Sequence, residues 1–192
     1  MPNSININPD ELTQKKLIGM FENGSLKKEI ILSEIEKRPD SDFCYYLLGL
    51  IQKKDKDYEN ALNSFNKAKK INPHNSGILN NIGEILFSIN KREEALSYFI
   101  DLTELHPKYI MGWINLAKSY QNAGLLDKSE DCYNKALSID PFNKIANIGF
   151  CKLLGSLGRN NEAVAILKVM SSGFPDEKII NTMYAISLFE DG

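Results

Sequence analysis

The 192-residue chain is 43% hydrophobic and 25% charged, the balance of a globular protein, which excludes a disordered one. Its 23 Lys+Arg against 25 Asp+Glu give a formal charge of −2, so no global basic field points to nucleic acid. No stretch approaches the roughly 20 apolar residues of a membrane span, and Met-Pro-Asn-Ser-Ile-Asn lacks the basic start and apolar run of a secretion signal. The three cysteines are odd in number and far apart, which implies no disulfide framework and leaves a cytoplasmic address as the expectation.

In chain order, a short tail at 1–7 precedes two helical stretches, Glu11–Phe21 and Leu26–Lys37, joined by an Asn23-Gly24-Ser25 turn and closed by Pro39. Pro39, Pro73, Pro107, Pro141 and Pro175 then recur at one fixed spacing of 34 residues, the signature of a repeat array. Counting back 31 residues from each proline sets repeats at 42–75, 76–109, 110–143 and 144–177. Position 4 of this frame reads Tyr45, Leu79, Trp113, Asn147; position 8 reads Gly49, Gly83, Ala117, Cys151. Position 20 reads Ala61, Ala95, Ser129, Ala163, and position 24 reads Phe65, Phe99, Tyr133, Leu167. Apolar residues fall at helical steps, as in Leu79, Ile82, Ile85, Leu86 and Ile89, followed by a second run through Ala95, Leu96, Phe99 and Leu102. Small residues at positions 8 and 20 let the paired helices approach. Gly124 and Gly158 at position 15, with Asn90 equivalent, supply the left-handed residue that ends the first helix; Lys56 departs from that pattern. The proline at position 32 stops the second helix.

These residues resemble the tetratricopeptide repeat (TPR) family pattern, Trp-x2-Leu-Gly-x2-Tyr, then Ala-x3-Phe-x2-Ala, then Pro. The third repeat matches best, with Trp113, Leu116, Tyr120, Tyr133, Ala136 and Pro141, and the fourth departs most at Asn147 and Leu154. The resemblance implies an all-α fold of about 11 helices, a right-handed superhelical solenoid of antiparallel pairs. Residues 8–41, where Lys15 and Lys27 stand at the small positions, read as a degenerate capping repeat, and 178–192 as a half-repeat or capping helix.

Chemistry is sparse. His74 and His106 lack metal-ligand spacing, Cys151 reads as a packing residue, and no phosphate-cradling glycine loop or nucleophile elbow occurs. Lys53, Lys54 and Lys56 interleave with Asp55 and Asp57, a solvated helix end rather than a nucleic-acid contact. No enzyme, cofactor or metal is expected.

The resemblance implies a concave groove lined by positions 2, 5, 6, 9, 12 and 13 of each first helix. Phe43, Tyr46, Leu47, Leu50 and Lys53 stand there first, then Asn80, Asn81, Glu84 and Phe87. Met111, Ile114, Asn115, Lys118, Gln121 and Asn122 follow, then Ile145, Ile148, Lys152 and Ser156. Asn81 and Asn115 occupy one inward position and are similar to the asparagine ladder of O-linked N-acetylglucosamine transferase repeats, which holds a peptide backbone. The carboxylate clamp that grips chaperone C-termini does not fit, because Tyr46, Leu50, Ile114 and Gly149 stand at its positions. The partner-binding candidates are Tyr46, Asn80, Asn81, Glu84, Asn115, Lys118, Gln121, Asn122 and Lys152.

The expected role is a non-catalytic module binding a peptide or protein partner, with neither nucleic acid nor membrane. The alternatives are a targeting region of a larger enzyme, such as a glycosyltransferase, and a self-assembling scaffold. Ile179, Met183 and Ile186 lie on a final helix apolar nearly all round, so a further helix of a longer protein or a second copy is expected to cover that edge.

Overall fold

The computed structural model describes residues 9–190, with side chains at 11 and 13–186. The expected tail at 1–7 and the side chains of Leu188 and Phe189 lie outside the described residues. Eleven helices and no strand occur among them: α1 Pro9–Glu22, α2 Lys28–Lys37, α3 Asp42–Lys54, α4 Tyr58–Ile71, α5 Ser76–Ser88, α6 Arg92–Leu105, α7 Ile110–Asn122, α8 Leu126–Ile139, α9 Lys144–Ser156, α10 Asn160–Gly173 and α11 Lys178–Glu190. The chain divides into two compact units, 1–85 and 86–192, with the division inside α5.

In the first unit α2 packs on α3, and α3 on α4. Leu17, Leu26 and Ile31 form a core with Leu47 and Leu48, and Phe43 and Leu50 pack against it. Of the groove candidates on α3, Leu47 is buried in this core, while Phe43 and Leu50 pack against it and stay part-exposed. The small position 8 is filled tightly. A Cβ on Gly49 would lie 2.7 Å from the Phe65 ring, so hydrogen is what lets the aromatic sit over α3.

In the second unit each helix from α6 to α11 packs on the next, and α7 also touches α9. Here too the frame locates the core. Ala117 and Cys151 at position 8, Ser129 and Ala163 at position 20, and Phe99, Tyr133 and Leu167 at position 24 are all buried. Cys151 Sγ meets the Ala163 carbonyl, which is position 8 against position 20 as the frame expects. Burial pushes the Cys132 and Cys151 thiols up to about 11.

The turns follow one rule. Lys56, Asn90, Gly124 and Gly158, all at position 15, have φ between 61° and 74°. Each is followed by a backbone N–H that reaches five residues back: Asp57 to Gln52, Lys91 to Leu86, Leu125 to Tyr120 and Arg159 to Leu154, every one at 2.9 Å. These six-to-one bonds close the orphan carbonyls of the helix end in a Schellman motif. Lys56, which departs from the residue pattern at this position, thus makes the same turn as the glycines. The closing bond and the packing of α3 on α4 outweigh the cost of a Cβ in the left-handed region, of order 1–2 kcal/mol. The second helices end two residues before Pro39, Pro73, Pro107, Pro141 and Pro175.

Asn147, the residue that departs from the aromatic at position 4, is explained by what it donates. Trp113 Nε1 gives a hydrogen bond to the Pro107 carbonyl at 2.8 Å, and Asn147 Nδ2 gives one to the Pro141 carbonyl at 2.9 Å. Asn181 Nδ2 does the same to the Pro175 carbonyl at 2.7 Å. A donor six residues past the proline ties the inter-repeat turn to the next helix, and an amide performs this as well as an indole.

Candidate functional site

The sequence-predicted residues separate into two environments. In the first unit they satisfy one another. Lys53 forms an ion pair with Glu84 and donates to Asn81 Oδ1 at 2.7 Å. Asn81 Nδ2 donates to the Gly77 carbonyl at 2.8 Å, and Asn80 Nδ2 donates to Glu84 Oε1 at 2.9 Å. The Tyr46 hydroxyl interacts with the Asn81 amide, while burial raises its pKa above the ordinary tyrosine value. Its ring leans on Phe65 at 5.8 Å. Asn80 and Asn81 are only 5% and 7% exposed. The Asn81 amide, one of the two ladder-like rungs, has both its oxygen and its nitrogen already occupied. This cluster carries cation, anion and amides in balance.

The second unit differs. Between α7, α8 and α9 lies a cavity of 260 Å³ lined by Lys118, Gln121, Tyr133, Ile145, Ile148, Gly149 and Lys152. Three of the predicted residues, Lys118, Gln121 and Lys152, meet here. Two that sequence reasoning did not select complete the floor. Tyr133 reaches in from α8, and Gly149 makes room for it: a Cβ there would sit 2.6 Å from the Tyr133 hydroxyl. Gly149 stands at the inward position that Asn81 and Asn115 hold in their repeats, and its missing side chain is what opens the cavity. Burial pushes the Tyr133 phenol up to about 12, so it is neutral and able to donate at any physiological pH. Its ring packs on Phe150 with centroids 6.1 Å apart.

The remaining candidates sit apart from this cavity. Asn115 is 7% exposed and already engaged. Asn122 belongs to a smaller cleft of 200 Å³ with Phe87, Arg92, Leu96 and Ser119. Its Nδ2 donates to the Lys118 carbonyl at 3.0 Å and its Oδ1 accepts from Arg92 at 3.5 Å. On α11, Ile180 is buried, Met183 is half-buried, and Ile179 and Ile186 are 61% and 52% exposed.

Comparison with known proteins adds to this geometry. The tetratricopeptide repeat pattern matches residues 43–75, 76–109 and 110–143. The chain belongs to the tetratricopeptide repeat family. The TPR protein TTC0263 of Thermus thermophilus superposes with a TM-score of 0.78 at 19% identity, covering 94% of this chain and 99% of that one. Human protein O-mannosyl-transferase TMTC3 is 32% identical over 85 residues, 44% of this chain and 9% of its own length. The peroxisomal targeting signal receptor of Candida glabrata is 29% identical over 101 residues, 53% of this chain and 17% of its own. The chain thus spans less than a fifth of the length of either relative.

Helix α9, which lies beyond the matched residues, supplies Ile145, Ile148, Gly149 and Lys152 to the cavity. Among the described residues no group of three or more His, Cys, Asp or Glu is placed to hold a metal. No helix among them is long and apolar enough to cross a membrane.

Proposed function

We propose that this TPR chain is a non-catalytic interaction module that binds a peptide segment or protein partner on the first-helix face of its repeats, with Lys118, Gln121 and Lys152 making the contacts. The observation that carries this is the cavity between α7, α8 and α9, where predicted groove residues converge on a partly apolar opening. Similarity to a receptor for a targeting signal is consistent with it. In the first unit, Tyr46, Asn80, Asn81 and Glu84 form a polar cluster of their own, whose bonds are already made within it. A ligand meeting Asn81 must exchange bonds that the amide already makes. Asn115 and Asn122 flank the contact on α7.

The similarity to TMTC3 favours a second reading, in which the chain serves as a partner- or substrate-recruiting TPR region of a larger enzyme. The apolar residues Ile179, Met183 and Ile186 then pack on a further helix of that longer protein, or on a second copy in a self-assembled form.

The test is affinity capture from native lysate with the chain as bait, alongside a bait carrying Asn81→Ala, Asn115→Ala and Lys118→Ala. The expected result is a partner retained by the first bait and lost from the second. Partners held equally by both would place binding elsewhere on the molecule.

A further inference from the structure

The α7–α9 cavity differs from the other polar clusters in one respect: its cations have no counter-charge. Lys53 pairs with Glu84, Lys144 with Glu177, and Arg159 with Glu130 and Glu162. Lys118 and Lys152 border the cavity with no ion pair or side-chain hydrogen bond among the described residues. The repeat frame shows why. Glu84 stands at position 9 and meets position 12 of the preceding repeat, Lys53. One pair of repeats later the same two positions hold Lys152 and Gln121, so the cation faces an amide instead of a charge.

A second observation comes from the floor. Tyr133 is 1% exposed, yet its hydroxyl has no hydrogen bond from any described residue. The one fully sealed polar side-chain atom without a partner among those residues is Ser129 Oγ, so the Tyr133 hydroxyl is reached from the cavity. That hydroxyl makes no bond within the protein and is left for a ligand acceptor to meet.

The size restricts the occupant. An engineered cavity of about 150 Å³ is known to take benzene, and drug-sized ligands need roughly 300–1,000 Å³. At 260 Å³ the space fits one bulky side chain better than a cofactor. Ile145 and Ile148 present apolar surface to it.

Resting on the peptide-binding reading above, we propose that this cavity recognises an internal acidic–apolar peptide segment. A bulky apolar side chain fills the space over Ile145 and Ile148. A neighbouring Asp or Glu carboxylate is held by Lys118 and Lys152, and the Tyr133 hydroxyl donates to a carbonyl of the peptide. Charge complementarity selects this occupant over a basic segment, which the two unpaired ammonium groups would repel, and over a neutral one, which would give them no partner.

Selection from a random peptide library against the intact chain tests this. Enriched peptides are expected to place Asp or Glu within two residues of Leu, Ile, Met or Phe. Their binding, read by fluorescence anisotropy, should weaken steeply with salt and fall more than about tenfold on Lys118→Gln with Lys152→Gln. Tyr133→Phe keeps the ring on Phe150 and removes only the hydroxyl. It should cost about fivefold in affinity while leaving the thermal midpoint unlowered, since the hydroxyl serves no protein partner. Peptides without an acidic residue, or with their only essential carboxylate at a free C-terminus, would overturn the proposal. So would acidic–apolar peptides that bind the double variant as well as the parent. If selected peptides respond instead to Asn81→Ala or Asn122→Ala, the groove reading stands and this site fails. If no peptide responds to any groove change, both fail.

Discussion

Replacing Ser129 with alanine should stabilise the protein. Ser129 stands at position 20, where the other three repeats carry Ala61, Ala95 and Ala163, and it is 0% exposed. Its Oγ is the sealed polar atom that meets no donor or acceptor. In the unfolded chain that hydroxyl is hydrated, so folding forfeits a hydrogen bond and returns none, a penalty of roughly 1–3 kcal/mol. Alanine is also the better helix former, by at most about 0.7 kcal/mol in a helix interior and by less here, where Ser129 is the fourth residue of α8. Against these gains stands the loss of one oxygen's packing contacts, each worth only about 0.1–0.2 kcal/mol. The balance is about 1–2 kcal/mol in favour of alanine. For a chain of this size each kcal/mol raises the thermal midpoint by about 2–4 °C. Because repeat arrays do not always unfold in one step, the urea midpoint is measured beside the melt. The mirror change, Ala61→Ser at an equally buried site, should lower both midpoints. A Ser129→Ala chain whose midpoints stay level or fall would refute the reasoning, since the hydroxyl would then have a partner in solution.

Lys56 at φ 61° carries a side chain where glycine is strain-free, so Lys56→Gly should raise stability by about 1 kcal/mol in the same assays. Gly49→Ala places a methyl 2.7 Å from the buried Phe65 ring and should cost about 1–3 kcal/mol. An unaltered melt for that variant would show that the ring yields freely. Asn147→Asp keeps the shape and removes both donors, leaving a carboxylate against the Pro141 and Asn143 carbonyls at a site 5% exposed. Its folded pKa then lies above the unfolded value, so the destabilisation is full at neutral pH and eases as pH falls and the carboxyl gains a proton. The difference in urea midpoint between parent and variant, followed from pH 7 towards about 4, the ordinary Asp value, checks the sign.

The helical frame was legible because its signals are local and repeated. A proline stops one helix, a small residue admits the next, and each signal recurs at a fixed step, so noise in one repeat is corrected by the others. Lys56 shows the limit of reading one residue at a time: its side chain argues against the left-handed turn, but the bond from Asp57 to Gln52 and the packing of α3 on α4 impose it. Asn147 shows another. As a replaced aromatic it reads as a loss, and only the acceptor six residues behind it reveals that the donor was what mattered.

The site was less legible because it depends on differences between repeats. Lys53, Lys118 and Lys152 look alike in sequence, as cations on first helices. What separates them is the residue about one repeat away. Glu84 lies 31 residues after Lys53 and neutralises it. The residue at the same distance after Lys118 is Gly149, and the one 31 before Lys152 is Gln121. Neither can compensate a charge. Read as a column, position 9 against the preceding position 12, the array goes from a closed ion pair at Lys53 and Glu84 to an open cation at Gln121 and Lys152. The same Gly149 that fails to neutralise Lys118 also lets Tyr133 reach the cavity floor. One absent side chain therefore stands beside both an unpaired cation and a hydroxyl that makes no bond within the protein. A repeat array acquires a specific site in this way: the shared positions build the scaffold, and the position where one repeat withholds its expected partner becomes the point where a ligand can supply it.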